Sequence, residues 1–271
     1  MSVEFKTIIT HVANCVGEII MNRPEKRNAL NAQMVQELTT VFSEWQKEPK
    51  IKVVVLKGAG KAFCSGADLA YLREMRHFDF QQNLSDSQSL GHLFLQIYTF
   101  PKPVIAQVEG AALAGGCGLA SVCDLIIATQ DAKFGYPEVK IGFVAALVST
   151  FLIRQIGERK AKELLLSGRI LSAEEALSFG IINQVVAKEQ IRQSVYERIK
   201  EFLKNGTQAM EVTKQLFSNF SYQSINRDME RLAKVNARFR QTDEFSEGIR
   251  AFLEKRAPNW QSASKREEGI C

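Results

Sequence analysis

The stretch "LAGGCGLASVCD" (residues 113–124) sets three glycines among small apolar residues and closes on an aspartate that looks buried. Glycine inside an apolar run costs stability relative to alanine, so something must approach the backbone more closely than a side chain allows. Familiar glycine loops do not fit. From Gly116 the spacing runs Gly116, Gly118, Ser121, so the third glycine of GxGxxG is missing, and no Gly-Lys-Ser/Thr follows. A nucleophile elbow around Cys117 fails as well, because Leu119 stands where the closing glycine belongs. Two readings stay open: a helix packed tightly on a strand through Gly115 and Gly118, or a backbone pocket for a ligand atom.

A second stretch bears on that choice. "GKAFCSGADL" (60–69) follows the apolar run "VVVLKG" (53–58) and sets Gly66 ahead of a helix-like segment. Two strands thus each end in a small-residue turn that opens a helix. Helix N-termini carry unpaired N–H groups and the positive end of the helix dipole. If the turns face each other, two main-chain donors converge at the ~2.7–3.1 Å needed to hold a carbonyl oxygen that gains negative charge.

The remaining chain supplies an ordinary α/β frame. "EIIMN" (18–22), "PVIAQVEG" (103–110), "DLIIAT" (124–129) and "INQVV" (182–186) read with 53–58 as buried strands. Between the first two lies a helix with Met34, Leu38, Val41, Phe42 and Trp45 on one face. Strand, helix, strand implies a core with right-handed crossovers. Helices are predicted over 157–168 and 172–180, the latter with a Ser172–Glu175 capping box and a Gly180 stop. Helix dominates from Gln190 onward, interrupted at Asn205–Gly206 and near Asp243, and 77–92 is polar enough to predict a mobile helix or lid. The expected organisation is a core over 1–195, a helical region over 196–260 and a solvated tail over 261–271.

Composition narrows the classes of function. The net charge of +5 is spread among interleaved acids over 271 residues, so no nucleic-acid stripe is present, although a phosphorylated small substrate is compatible. The N-terminus lacks a basic stretch followed by an apolar one, and no run approaches the ~18 apolar residues of a membrane span, so a cytoplasmic protein is expected. Cys15, Cys64, Cys117, Cys123 and Cys271 form no CxxC pair and read as reduced thiols. The three histidines lack ligand spacing, so no metal is expected.

Five collinear motifs carry a family resemblance: "RPEKRNALN" (23–31), "KAFCSGADL" (61–69), "GAALAGGCGLASVCD" (110–124), "AKFGYPEVKIG" (132–142) and "FLEKRAPNW" (252–260). Together, over about residues 5–260, they resemble the enoyl-CoA hydratase/isomerase (crotonase) family. The resemblance implies a ββα spiral core, a C-terminal helical region that assembles trimers or dimers of trimers, and coenzyme A thioester substrates with no separate cofactor. It assigns the two oxyanion N–H groups to Ala67 and Gly115. It assigns the coenzyme A contacts to Arg27, Ala29, Asp68, Leu69 and Ala70, with Phe252 and Lys255 reaching a coenzyme site from the C-terminal region, sometimes of a neighbouring subunit.

The resemblance also fixes the catalytic question. Hydratases of the family use two glutamates; the second is present as Glu138 after Pro137, while Gly118 stands in place of the first. Adding water is comfortable with two carboxylates, whereas moving a double bond needs one base that takes a proton from one carbon and returns it to another. Burial in a dry pocket would raise the pKa of a lone Glu138 into a useful range. A second departure is "AALVS" (145–149) in place of a glycine-rich turn. With it, the segment looks most like the bacterial branch of methylglutaconyl-CoA and carboxygeranoyl-CoA hydratases, acting on branched or carboxylated acyl groups. Hydration therefore ranks above Δ3–Δ2 isomerisation by resemblance, the reverse of what Gly118 alone suggests, and an acyl-CoA binder without chemistry is the third reading.

Overall fold

A computed structural model describes residues 5–263. The chain runs through β1 (Ile8–Ala13), β2 (Val16–Met21), α1 (Ala32–Lys47), β3 (Val53–Gly58), β4 (Ala62–Cys64), α2 (Leu69–Met75) and α3 (Phe80–Tyr98). It continues with β5 (Val104–Val108), β6 (Ala111–Leu113), α4 (Gly115–Ser121), β7 (Leu125–Thr129), β8 (Lys133–Gly135), α5 (Ala146–Ile156) and α6 (Glu158–Ser167). Then follow β9 (Ile170–Ser172), α7 (Ala173–Phe179), β10 (Gln184–Val186), α8 (Ile191–Leu203), α9 (Thr207–Phe239), α10 (Asp243–Glu254) and α11 (Trp260–Ala263).

The strands sort into two sheets, ordered β1-β2-β3-β5-β7-β10 and β4-β6-β8-β9. Successive pairs β3/β4, β5/β6 and β7/β8 each place their first strand in the large sheet and their second in the small one. Helical segments then return the chain for the next pair, and this is the expected ββα spiral. Pairing is parallel except for β1 with β2 and β8 with β9.

Local chemistry sets the elements. Asn31 caps α1 by accepting from the Met34 N–H at 2.9 Å, and the predicted face, Met34 to Trp45, is buried. The Trp45 ring lies so close over β2 that a Cβ on Gly17 would come within 2.4 Å of it. Ser172 and Glu175 form the predicted capping box on α7, and Gly180 ends that helix in the left-handed conformation.

Segment 77–92 takes the helical form of the expectation. It forms most of α3, started by an Asp79–Gln82 capping box, with Asn83, Ser87 and Gly91 buried. These three repeat at four-residue intervals and lie on one helix face. There α3 and α9 pack closely enough that a Cβ on Gly91 would sit 2.8 Å from Met229 Cε. The face is small and polar rather than apolar, and so it imitates a solvated segment.

Other boundaries also differ. The division at 195/196 falls inside α8, whose Ile191, Val195 and Ile199 pack with Val53, Val55, Ile105 and Ile127 on one face of the large sheet. The supposed tail begins in α11, where Ala263 is buried; residues 264–271, Cys271 among them, lie outside the described residues. Asp124 is exposed, and it ties the sheet to α9 by accepting from Val104 N–H at 2.7 Å and from Lys214 Nζ at 2.6 Å. The four described cysteines are free. No described helix is long and apolar enough to cross a membrane.

Candidate active site

Three neighbouring strands deliver the site. β4, β6 and β8 lie side by side, with Cys64 paired to Ala112 and Leu113 paired to Gly135. Ala67, Gly115 and Glu138 follow the ends of these strands within three residues. Sheet spacing, about 4.8 Å per strand, therefore brings the three predicted groups to one edge.

The two glycine turns touch. Gly66 has φ +95°, and a Cβ there would meet Ala114 Cβ at 3.0 Å and Leu113 O at 3.2 Å. Ala114 adopts φ 50°, ψ −128°, a conformation normally left to glycine, and its N–H donates to Gly135 O at 2.8 Å. That turn swings the chain directly into α4, with Gly115 as its first residue. Among the described residues neither Ala67 N–H nor Gly115 N–H donates a hydrogen bond, and both residues line one cavity of about 950 Å³.

The glycines divide between close packing and the cavity lining. A Cβ on Gly116 would lie 2.3 Å from Cys64 O, and one on Gly118 would lie 2.4 Å from Val148 Cγ1 and 3.1 Å from Phe94 Cζ. Gly116 and Gly118 thus serve close packing, and Gly115 serves the pocket. The volume a glutamate at 118 would need is already filled by Val148 and Phe94.

Glu138 lies in a 3-10 turn, Pro137–Ile141, that Gly142 ends at φ 59°. The turn is clamped by α10. A Cβ on Gly142 would lie 2.3 Å from Glu244 O, and one on Gly248 would lie 2.2 Å from Ile141 O. The Glu138 side chain lines the cavity but is only 7% exposed, and its Oε2 has no hydrogen-bond partner. Burial without a countercharge raises its pKa from 4.5 to about 7. The carboxyl can therefore accept and return a proton near neutrality.

At the mouth, Arg27 and Ala29 line the cavity as predicted. Asn28 holds their turn: its Nδ2 donates to Ala59 O and Ala62 O at 2.8 Å each, and its Oδ1 accepts from Arg23 N–H at 2.9 Å. Arg27 is exposed, with φ 52°. Asp68 also lines the cavity but is engaged, pairing with Arg23 at 2.5 Å and capping α2 by accepting from Ala70 N–H at 2.8 Å. Burial pushes its carboxyl up, but the Arg23 and Ala70 hydrogen bonds outweigh that and hold it below the usual range. Leu69 opens α2. Ala70 and Lys255 do not line the cavity, whereas Phe252 does. Lys26 and Lys140, both exposed, add two cations to the lining that the motifs did not predict, beside the exposed Glu25.

The cavity also has a polar wall that sequence reading missed, built by Tyr71, Asp86, Asn236 and Arg240. Asp86 accepts from the Tyr71 hydroxyl and, at 2.5 Å, from Arg240 Nη1. The Arg240 guanidinium lies 5.4 Å from the Phe143 ring centroid. Burial, and then Asp86, push the Tyr71 phenol well up. Four residues spread over three helices leave no motif to find. Among the described residues no three His, Cys, Asp or Glu side chains cluster as metal ligands would.

Comparison with known proteins agrees with the fold. The profile of the family described as "Enoyl-CoA hydratase/isomerase" matches residues 11–263. A Thermus thermophilus protein carrying an enoyl-CoA hydratase name is 41% identical over 245 residues, spanning 90% of this chain and 97% of that one. The crotonyl-CoA hydratase of Syntrophomonas wolfei is 32% identical over 260 residues, spanning 95% and 99%. The solved structure of a Bacillus halodurans enoyl-CoA hydratase superposes with a TM-score of 0.86 at 26% identity, covering 91% of this chain and all of that one.

Proposed function

The chain belongs to the enoyl-CoA hydratase/isomerase family, and from that premise we propose that it adds water to a 2-enoyl-CoA thioester with Glu138 as its single acid–base carboxylate. The observation that carries this reading is the buried Glu138 carboxyl, its Oε2 without a hydrogen-bond partner, lining one cavity with two unpaired main-chain N–H groups. The thioester oxygen sits between the Ala67 and Gly115 N–H groups, which stabilise the charge it gains as C3 is attacked. Each such donor is worth about 3–4 kcal/mol in a transition state. Glu138 takes one proton from water as the oxygen bonds to C3, then delivers that proton to C2 of the enolate. One carboxylate closes the cycle, because the proton it accepts is the one it returns. The exposed cations Lys26, Arg27 and Lys140 at the mouth suit the phosphates of coenzyme A.

The acyl group on this reading is branched or carboxylated, as the resemblance of segment 138–157 implies. A homotrimer or dimer of trimers is supported by α9, which exposes Leu216, Phe217 and Phe220 to 52%, 68% and 84%. Packing around Gly118 also favours a second reading, Δ3–Δ2 isomerisation, in which Glu138 moves a proton between C2 and C4 with no water. Two assays decide. Hydration consumes the enone absorbance of a 2-enoyl-CoA, whereas isomerisation creates it from a 3-enoyl-CoA. Glu138→Gln should abolish either turnover while leaving acyl-CoA affinity within a few-fold. Equal inertness of wild type and variant across both substrate classes defeats the proposal.

A further inference from the structure

Asn236 lies on α9 and lines the cavity, yet is only 4% exposed. Its side-chain amide makes no hydrogen bond among the described residues, and Oδ1 is sealed from solvent. Whichever way the amide is turned, one acceptor and two donors are left over. Four residues on, Arg240 is 6% exposed, and its Nε–H also lacks a partner although its Nη1 is committed to Asp86. Buried amides and guanidinium N–H groups are normally paired, and leaving one unpaired is destabilising. Leucine would fill the same space on α9 without that penalty. Oδ1 and Nε are closed even to a water-sized molecule, so the other end of the Asn236 amide, Nδ2, is the unpaired group on this wall that a bound molecule can reach.

We propose that the Asn236 amide selects an acyl chain that carries an oxygen away from the thioester. The inference rests on the acyl-CoA reading above and adds the class of acyl group. A hydrocarbon chain leaves the open end of that amide desolvated and unpaired. A chain oxygen accepts from the amide N–H. Sites with buried polar groups reject the analogue that lacks the matching atom far more strongly than apolar pockets reject an extra methylene. The oxygen can belong to a hydroxyl or a carboxylate, and these differ in charge. Asp86 already neutralises Arg240, so a carboxylate gains no unpaired cation from this wall; here the hydroxyl is the better match, against the carboxylated chain that the resemblance implies.

The test compares 2-enoyl-CoA thioesters of matched heavy-atom count ending in methyl, hydroxyl or carboxylate over a ladder of short chains. Wild type should prefer an oxygenated chain over its methyl counterpart by tenfold or more in kcat/KM at one chain length, and the arm that wins identifies the group. Asn236→Leu should collapse that ratio toward one, mainly through KM, while its thermal midpoint without ligand stays level or rises. A structural role for Asn236 predicts the opposite pattern, a lowered midpoint with the ratio intact, and that result overturns the inference. So does a wild type that turns over methyl-ended chains as well as oxygenated ones at every length. Calorimetry with the saturated thioesters separates the two proposals. Discrimination in binding without any turnover defeats the hydration reading and leaves this one standing; turnover without discrimination does the reverse.

Discussion

The buried carboxyl at 138 should make folding stability fall as pH rises, and Glu138→Gln should remove that dependence. The folded protein holds this proton up to about pH 7, whereas the unfolded chain releases it near 4.5. Between those values the native state binds the extra proton, so raising pH favours unfolding. At about 1.4 kcal/mol per tenfold change in proton affinity, the interval amounts to about 3 kcal/mol. The contribution is flat below pH 4.5 and complete above about pH 7. Urea denaturation at matched protein concentration, followed by tryptophan fluorescence, should therefore show the variant gaining on wild type across this range. The variant's advantage at about pH 8 should exceed that near pH 4.5 by about 3 kcal/mol, because other groups titrate alike in both proteins. Curves that run parallel across the range refute the claim that this carboxyl is desolvated and unpaired.

Activity should follow the same group: kcat/KM for an enoyl-CoA should rise through a single limb near pH 7, since the base form starts the cycle, and a profile flat from pH 4.5 upward would contradict the assignment. Gly118→Ala pushes a methyl to 2.4 Å from Val148 Cγ1 and should cost about 1–3 kcal/mol by thermal or urea melts. Adding Val148→Ala should recover part of that loss, so the pair is non-additive. Ala114→Gly relieves a conformation worth about 1–3 kcal/mol of strain but frees the unfolded chain, for a net gain of about 1 kcal/mol. The same change loosens the turn that aims Gly115, so kcat should fall even as the melting temperature rises; a fall in both would show that Ala114 is not strained.

What was legible in the chain was whatever sits close together in sequence. Gly66–Ala67, Gly115–Gly118 and Pro137–Glu138 each occupy one short turn after one strand, so glycine chemistry and motif order exposed them. Close packing at Gly118 was one of the two readings the glycines left open, but its partners could not be named, because Phe94 and Val148 come from other segments. Nor could the wall of Tyr71, Asp86, Asn236 and Arg240, whose members lie up to 169 residues apart and come from α2, α3 and the end of α9. Helix α3 was expected as a helix, but its packing was hidden: Asn83, Ser87 and Gly91 are buried, and Gly91 meets α9 in a close contact that needs a small residue rather than a large apolar one. Strand β1 and helix α5 gave no distinct signal either. Thr10 and His11 break the apolar run in β1, and α5 is apolar on too many sides for an amphipathic pattern to stand out.

The reacting groups and the acyl wall belong to different layers. Ala67, Gly115 and Glu138 are fixed by adjacent strands whose spacing the backbone dictates, so no single side-chain replacement readily moves one against the others. Asn236 and Arg240 stand one turn apart on a long helix whose surface can be rewritten residue by residue. A lineage with this layout can exchange one diet for another by editing α9 while its proton-transfer apparatus is inherited unchanged.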